Sequence, residues 1–392
     1  MSSSTKAWSS LDRKATAVAE FTLRQYRTRL STWVVLASCL VALSTVLLFY
    51  IDFMNDPIES VDNDGDGLFD EDGPDFPAVS DATSTTMGTD DDGDCLQADR
   101  PDGAKDTNGN GVVCDAILRK DWFGSTTILW DNGVDEDPDD EAFIQEATHR
   151  AFLLGYGKLG VVFLLGIFLP LFLATGLIRG EMTSETMHFL LAKPIARGEV
   201  LLYRMLGYLT LVWPASAIVV LLSAVVTGLA APGDGFFRFE DLGIWLSILL
   251  ATWLALLVYG MLFMSLGVMW KYGIVLAIPF AAWEFGMAFL SMGLPSSPLL
   301  RVSVIGWCLS IIDAATALSW TDQDAFIAYT TDYSIWSNQL VAPGEPLAFL
   351  ASAAPFDMSP TANMAVAVLV LLFQASVIWV VGQSLFKGKE IA

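Results

Sequence analysis

Charge is scarce along most of this chain. Only 17% of its 392 residues are charged, against 54% hydrophobic, a balance outside the range of ordinary water-soluble domains. Basic residues are scarcer still, 21 against 44 acidic, for a net charge of −23, so no nucleic-acid partner is expected. The two histidines, His149 and His188, fall on opposite sides of the bilayer in the topology derived below and cannot share a site. No G-x-x-x-x-G-K-[ST] loop occurs, so this chain alone binds no nucleotide. HExxH, a nucleophile elbow and paired intramembrane carboxylates are absent as well, which argues against an intramembrane hydrolase.

What is present is long apolar chain with one acidic segment. Residues 54–150 hold 27 of the acids and five of the bases, while the remainder is close to neutral. Thr32–Ile51 is an uncharged apolar run long enough to cross about 30 Å of hydrocarbon at about 1.5 Å per residue. It is too long for a signal peptide and lacks an A-x-A-like cleavage site. Further runs at Leu159–Ile178, Tyr208–Leu229, Leu242–Trp270, Gly273–Met292 and Ala365–Leu385 predict an all-α membrane protein of six transmembrane helices. An acidic, loop-rich insertion separates the first two. Gly155, Gly157 and Gly160 spell G-x-G-x-x-G, but no strand precedes them; they read as small residues that let helices approach closely.

Lys and Arg near the span ends set the orientation. One side receives Lys6, Arg13, Lys14, Arg24, Arg27 and Arg29, then Arg179, Lys193, Arg197 and Arg204, then Lys271, Lys387 and Lys389. That side reads as cytoplasmic and holds both termini of a multi-pass plasma-membrane protein. The expected parts are a cytoplasmic amphipathic helix over 1–31, a first span over 32–53, an extracellular domain over 54–150 and a five-helix region over 151–392. Val302–Leu318 is apolar, but a span there would place 319–362, which has no Lys or Arg, in the cytoplasm. An outer re-entrant or interfacial segment over 293–362 is the better expectation.

The cytoplasmic loop 179–203 reads RGEMTSETMHFLLAKPIARGEVLLY, an amphipathic stretch stopped by Pro194. Gly176, Glu181, Thr186, Leu190, Leu191, Pro194, Ile195 and Arg197 match the spacing of the inner loop in permease subunits of type-2 ABC transporters, which the chain resembles over its length outside 54–150. Glu185 departs from the small residue usual there. The resemblance implies that this loop is a coupling helix for a separate ABC ATPase subunit, that permeases pair as a homodimer or with a second permease, and that transport is export. Physically, Leu190 and Leu191 would fill a groove while Glu181, Glu185 and Arg197 fix register.

In the insertion, Asp62, Asp64, Asp66, the Leu68 carbonyl and Asp70 converge around Gly67 in the manner of a Ca²⁺ loop. Gly73 stands where an EF-hand would need Glu, and the run resembles thrombospondin-type-3 loops instead. Asp106, Asn108, Asn110, Val112 and Asp115 repeat the spacing with two neutral ligands, which weakens the second site. This segment resembles the end of an excalibur domain, and that likeness implies a Cys95–Cys114 disulfide. Cys39 and Cys308 have no obvious partner. Glu284, between Trp283 and Phe285 in the fifth span, is an intramembrane functional candidate. The leading expectation is a permease subunit; a calcium-binding, membrane-anchored surface sensor or adhesion protein is the alternative.

Overall fold

A backbone that crosses hydrocarbon must satisfy its own N–H and C=O groups, and the apolar runs do so as helices. The computed structural model describes residues 3–55, 117–121, 125–129, 149–177, 197–231, 236–269, 272–293, 297–320 and 358–388. The helices are α1 (Ser3–Thr28), α2 (Leu30–Asn55), α3 (His149–Leu173), α4 (Arg197–Leu229), α5 (Leu242–Met269), α6 (Gly273–Gly293), α7 (Val304–Ser319) and α8 (Pro360–Gly388). Among the described residues, six helices are long and apolar enough to cross a membrane: α2, α3, α4, α5, α6 and α8. Among the described residues the one departure from helix beyond turns is a hairpin within the insertion, β1 (Ile117–Asp121) antiparallel to β2 (Ser125–Leu129), with Ile117 opposite Leu129.

Helix α5 is apolar on every face, the pattern of a fully enclosed helix, and α3, α4, α6, α7 and α8 all pack on it. Tyr259 and Phe263 on α5 are completely buried. Trp213 of α4 and Trp253 of α5 stack with centroids 5.2 Å apart. Each indole N–H donates to the other's backbone carbonyl, at 3.3 and 3.2 Å, so neither polar nitrogen is left bare in the bilayer. By contrast α2, α6 and α8 keep large apolar faces exposed, including Phe49, Phe280 and Phe373, as lipid-facing helices do.

Two helices begin about ten residues before the apolar runs predict. Helix α3 starts at His149 instead of Leu159, and α4 at Arg197, inside the expected 179–203 loop. The extra turns carry His149, Arg150, Lys158 and Arg204, all buried. Hydropathy ends a span at such residues, whereas the fold neutralises them with partners. From Tyr156 to Phe168 α3 is wound as a π-helix, a rare geometry. Its glycines sit where the close approach was expected: a Cβ on Gly157 would meet Ile248 of α5 at 2.5 Å, and one on Gly160 would meet Leu43 of α2 at 3.1 Å.

Helix α7 has 16 residues, about 24 Å at 1.5 Å per residue, short of a full crossing. It is buried from Val304 through Thr316. Its first turn lies against Glu284, halfway along α6, and its last against Asp241 and Gly243 at the start of α5. The chain therefore enters the bundle at mid-height and returns to the end that carries His149.

The tightest backbone approach has a testable cost. A Cβ on Gly267 of α5 would collide with the Thr175 carbonyl oxygen, a main-chain atom that cannot swing aside, whereas one on Gly286 meets nothing within 4 Å. Gly267→Ala is expected to lower stability by about 1–3 kcal/mol through overpacking, and Gly286→Ala to leave it unchanged or raise it by up to about 1 kcal/mol. Thermal unfolding in detergent, with both variants side by side, checks the difference.

Candidate functional site: the loop roots and the buried charges

Most sequence-predicted site residues fall outside the described residues. Glu181, Glu185, Thr186, Leu190, Leu191, Pro194 and Ile195 do so, as do Asp62, Asp64, Asp66, Leu68, Asp70, Asp106, Asn108, Asn110, Val112, Asp115, Cys95 and Cys114. Arg197 opens α4. Glu284 is fully described, and Cys39 and Cys308 are free and buried. Among the described residues no three His, Cys, Asp or Glu side chains gather as a metal site.

The two roots of the 178–196 loop are described, and both are held. On the α3 side, Tyr26 of α1 donates to the Leu173 carbonyl at 2.9 Å. Burial pushes the Tyr26 phenol well above its ordinary value, outweighing the lowering pull of Arg29 and Arg204, so it stays a proton donor. Two residues further on, Thr175 presses its carbonyl on Gly267. On the α4 side, Gly198 packs against Gln383 of α8.

Helix α1 is clamped beside them. Val18, Thr22 and Tyr26 recur every fourth residue and are buried, one face of an amphipathic helix turned to α4. Arg204 of α4, itself fully buried, donates from one guanidinium nitrogen to Thr22 Oγ1 and Gln25 Oε1, both at 3.1 Å. Its guanidinium also lies 4.9 Å from the centre of the Phe21 ring, so hydrogen bonds and a π face share a charge that water does not reach. Gly207 removes the side chain that would otherwise strike Ala19 and Thr22.

Glu284 has a specific task in this fold. Its carboxylate accepts from Ser303 Oγ at 2.7 Å, from the Val304 N–H at 3.2 Å and from the Ile305 N–H at 3.0 Å. These are the unpaired donors of the first turn of α7, and a negative group there also meets the positive end of the helix dipole. Ser303 completes the cap by accepting from the Gly306 N–H at 3.0 Å. A charge on α6 thus anchors an interrupted helix deep in the bundle, in the place where broken membrane helices present N–H groups to anions.

Two further polar clusters were not read from sequence as sites. Lys158 of α3 and Asp313 of α7 form an ion pair at 2.6 Å with side chains 5% and 3% exposed. At the bundle end that carries the insertion, Tyr50 of α2 bonds His149 Nδ1 at 2.6 Å, and His149 Nε2 bonds Asp241 at 2.8 Å. Asp241 also accepts from Trp320 Nε1 at 2.9 Å and pairs with Arg238 at 3.4 Å, while Arg150 lies over the Trp320 ring. Tyr50 and His149 flank the insertion, so this cluster closes its base. Asp313 stood out as a charge inside the apolar run 302–318, whereas His149, Lys158 and Asp241 lie outside the runs and gave no such signal.

The cap is directly testable. Glu284→Gln turns one acceptor oxygen into a donor facing backbone N–H groups, and should cost about 1–3 kcal/mol, with Glu284→Ala costing at least as much. The expected readout is a lower thermal midpoint in detergent for both. Midpoints equal to wild type would contradict the cap.

The described residues thus give six spanning helices, an amphipathic helix clamped before the first, and braced chain on either side of the segment between the second and third. The family model for ABC-2 family transporter proteins matches residues 17–391, from α1 to beyond α8. No curated protein and no solved structure matches the chain. With the match covering nearly its whole length, the chain belongs to the ABC-2 family of transporter proteins, as the multi-pass permease subunit of an ABC transporter that works with an ABC ATPase subunit.

Proposed function

We propose that this permease exports its cargo from the cytoplasm, powered by a separate ATPase subunit docked on residues 181–197. The end carrying Leu173, Gly198 and Lys387 is then cytoplasmic, both termini lie inside, and residues 54–150 face outwards. One observation supports the docking reading above others: both roots of the loop are braced, Leu173 by Tyr26, Thr175 by Gly267 and Gly198 by Gln383. A segment that hands force to a helix bundle needs roots that do not yield. Within it, Leu190, Leu191, Pro194 and Ile195 would seat in an apolar groove of the ATPase, and Glu181, Glu185, Thr186 and Arg197 would set register. Export is the direction that the type-2 permease resemblance implies.

A second permease, a copy of this chain or a related one, completes the pathway in this proposal. It would pack on part of the exposed apolar faces of α2, α6 and α8. In the same proposal the loops at 62–70 and 106–115 hold Ca²⁺ through hard oxygen ligands, and the Cys95–Cys114 disulfide closes the second. Calcium then orders the insertion whose base is fastened by Tyr50, His149 and Asp241.

The docking claim is tested by solubilising native membranes and recovering partners on the tagged chain. Wild type should bring down an ABC ATPase, and the combined Glu181→Ala, Leu190→Ala and Leu191→Ala variant at least about tenfold less, the loss of roughly 1.4 kcal/mol. If no ATPase is recovered under conditions that keep a known complex whole, docking on this loop is wrong and the calcium-sensor alternative leads. For the insertion, removing calcium with a chelator in right-side-out membranes should speed proteolysis of residues 54–150. An unchanged digest contradicts calcium ordering.

A further inference from the structure

Lys158 and Asp313 sit where a charge is hardest to keep, and what they join is informative. Lys158 lies on α3, the helix whose far end is the braced root of the 178–196 loop, and Asp313 lies on α7. Helix α7 reaches only one end of the bundle and is anchored at its other end by Glu284 of α6. It does not itself reach the loop, and its other main neighbours, α5 and α8, meet it through apolar packing.

The contacts of α3 differ in stiffness. Towards α4 it offers the hydroxyl pair of Tyr156 and Ser223 at 2.9 Å, a neutral bond whose net worth is small. Towards α7 it offers a 2.6 Å ion pair with both partners almost wholly buried. Apolar surfaces slide past one another at little cost, but separating opposite charges in a low dielectric raises the energy steeply with distance. Helix α1 grips both roots, through Tyr26 on Leu173 and Thr22 on Arg204, and α8 packs on Gly198 of α4, but the ion pair to α7 is made from α3.

We propose that the Lys158–Asp313 pair is a positioning contact for transport, locking α7 to α3 so that displacement delivered at the loop root reaches α7 and, through the Glu284 cap, α6. This rests on the reading of the loop as the ATPase contact. The pair touches no cargo in this account; it keeps three helices in register while the loop moves one of them.

The test uses the full chain with its ATPase, in wild type, Lys158→Met, Asp313→Asn and the exchange Lys158→Asp with Asp313→Lys. Spin labels at Phe172 and Leu318, both about half exposed on α3 and α7, report the α3–α7 distance. In wild type this distance should hold, on trapping with ATP and vanadate, to within about 2 Å, the scale of a helix shift. Each single variant should at least double the width of the distance distribution and cut ATP turnover by about fivefold or more while recovering as much ATPase as wild type. The exchange, which restores the pair without either native residue, should return both readings to within about twofold of wild type.

A wild-type distance that changes on trapping overturns the lock, as do single variants with wild-type width and turnover. An exchange variant that stays monodisperse yet behaves like the single variants also overturns it. Failure of wild type to recover any ATPase counts against the docking reading instead. In that case the resting-state widths, which need no ATPase, still decide whether the pair holds α7 to α3.

Discussion

An ionised group inside hydrocarbon must find a partner or go. Removing one member of a buried pair leaves an unpaired charge, at a cost of about 3–5 kcal/mol, so each buried charge fixes which helices stand beside which. Lys158 requires Asp313, which sets α7 against α3. Glu284 requires donors, and the first turn of α7 supplies them. Arg204 requires acceptors and a π face, and α1 brings Thr22, Gln25 and Phe21. His149 and Asp241 satisfy one another and draw in Tyr50 and Trp320. The apolar remainder of the bundle has no comparable means of choosing neighbours, since lipid is as good a solvent for Leu as another helix is.

The same constraint explains why α7 can exist. A helix too short to cross would leave four backbone donors bare at mid-height. Glu284 and Ser303 answer three of those N–H groups at Val304, Ile305 and Gly306, and Asp313 ties the middle of the helix to α3. Position is thereby specified at two points along a buried element. At the opposite end of the bundle, α1 is not part of the crossing but is gripped as firmly, with Tyr26 reaching the chain just before the loop.

How much of this was legible in the sequence depends on the physical signal. Hydropathy located all six spanning helices, because a length of uncharged apolar chain has one low-energy fate in a membrane. It misplaced the starts of α3 and α4, because His149, Arg150, Lys158 and Arg204 read as aqueous until their partners are known, and partners distant in sequence leave no local trace. Glu284 stood out by its depth, yet its role depended on Ser303 and the turn beyond, which a linear reading treats as a separate segment. An amphipathic helix ahead of the first span was expected, but not that Arg204 would receive it. The inner-loop motif announced the family before any geometry did, and the family match over residues 17–391 agrees with it.

In the proposed device an ATPase works on the segment between two braced roots, and helices coupled by buried pairs carry the movement onward. The proposal stands or falls on where the ATPase sits. Placing a photoreactive residue at Leu190 in the loop, and separately at Phe236, 90% exposed at the opposite end of the bundle, and illuminating the complex in native membranes tests it most directly. The expected result is an ATPase crosslink from position 190 and none from 236; a crosslink from 236, or from neither position in an intact complex, overturns docking on the loop.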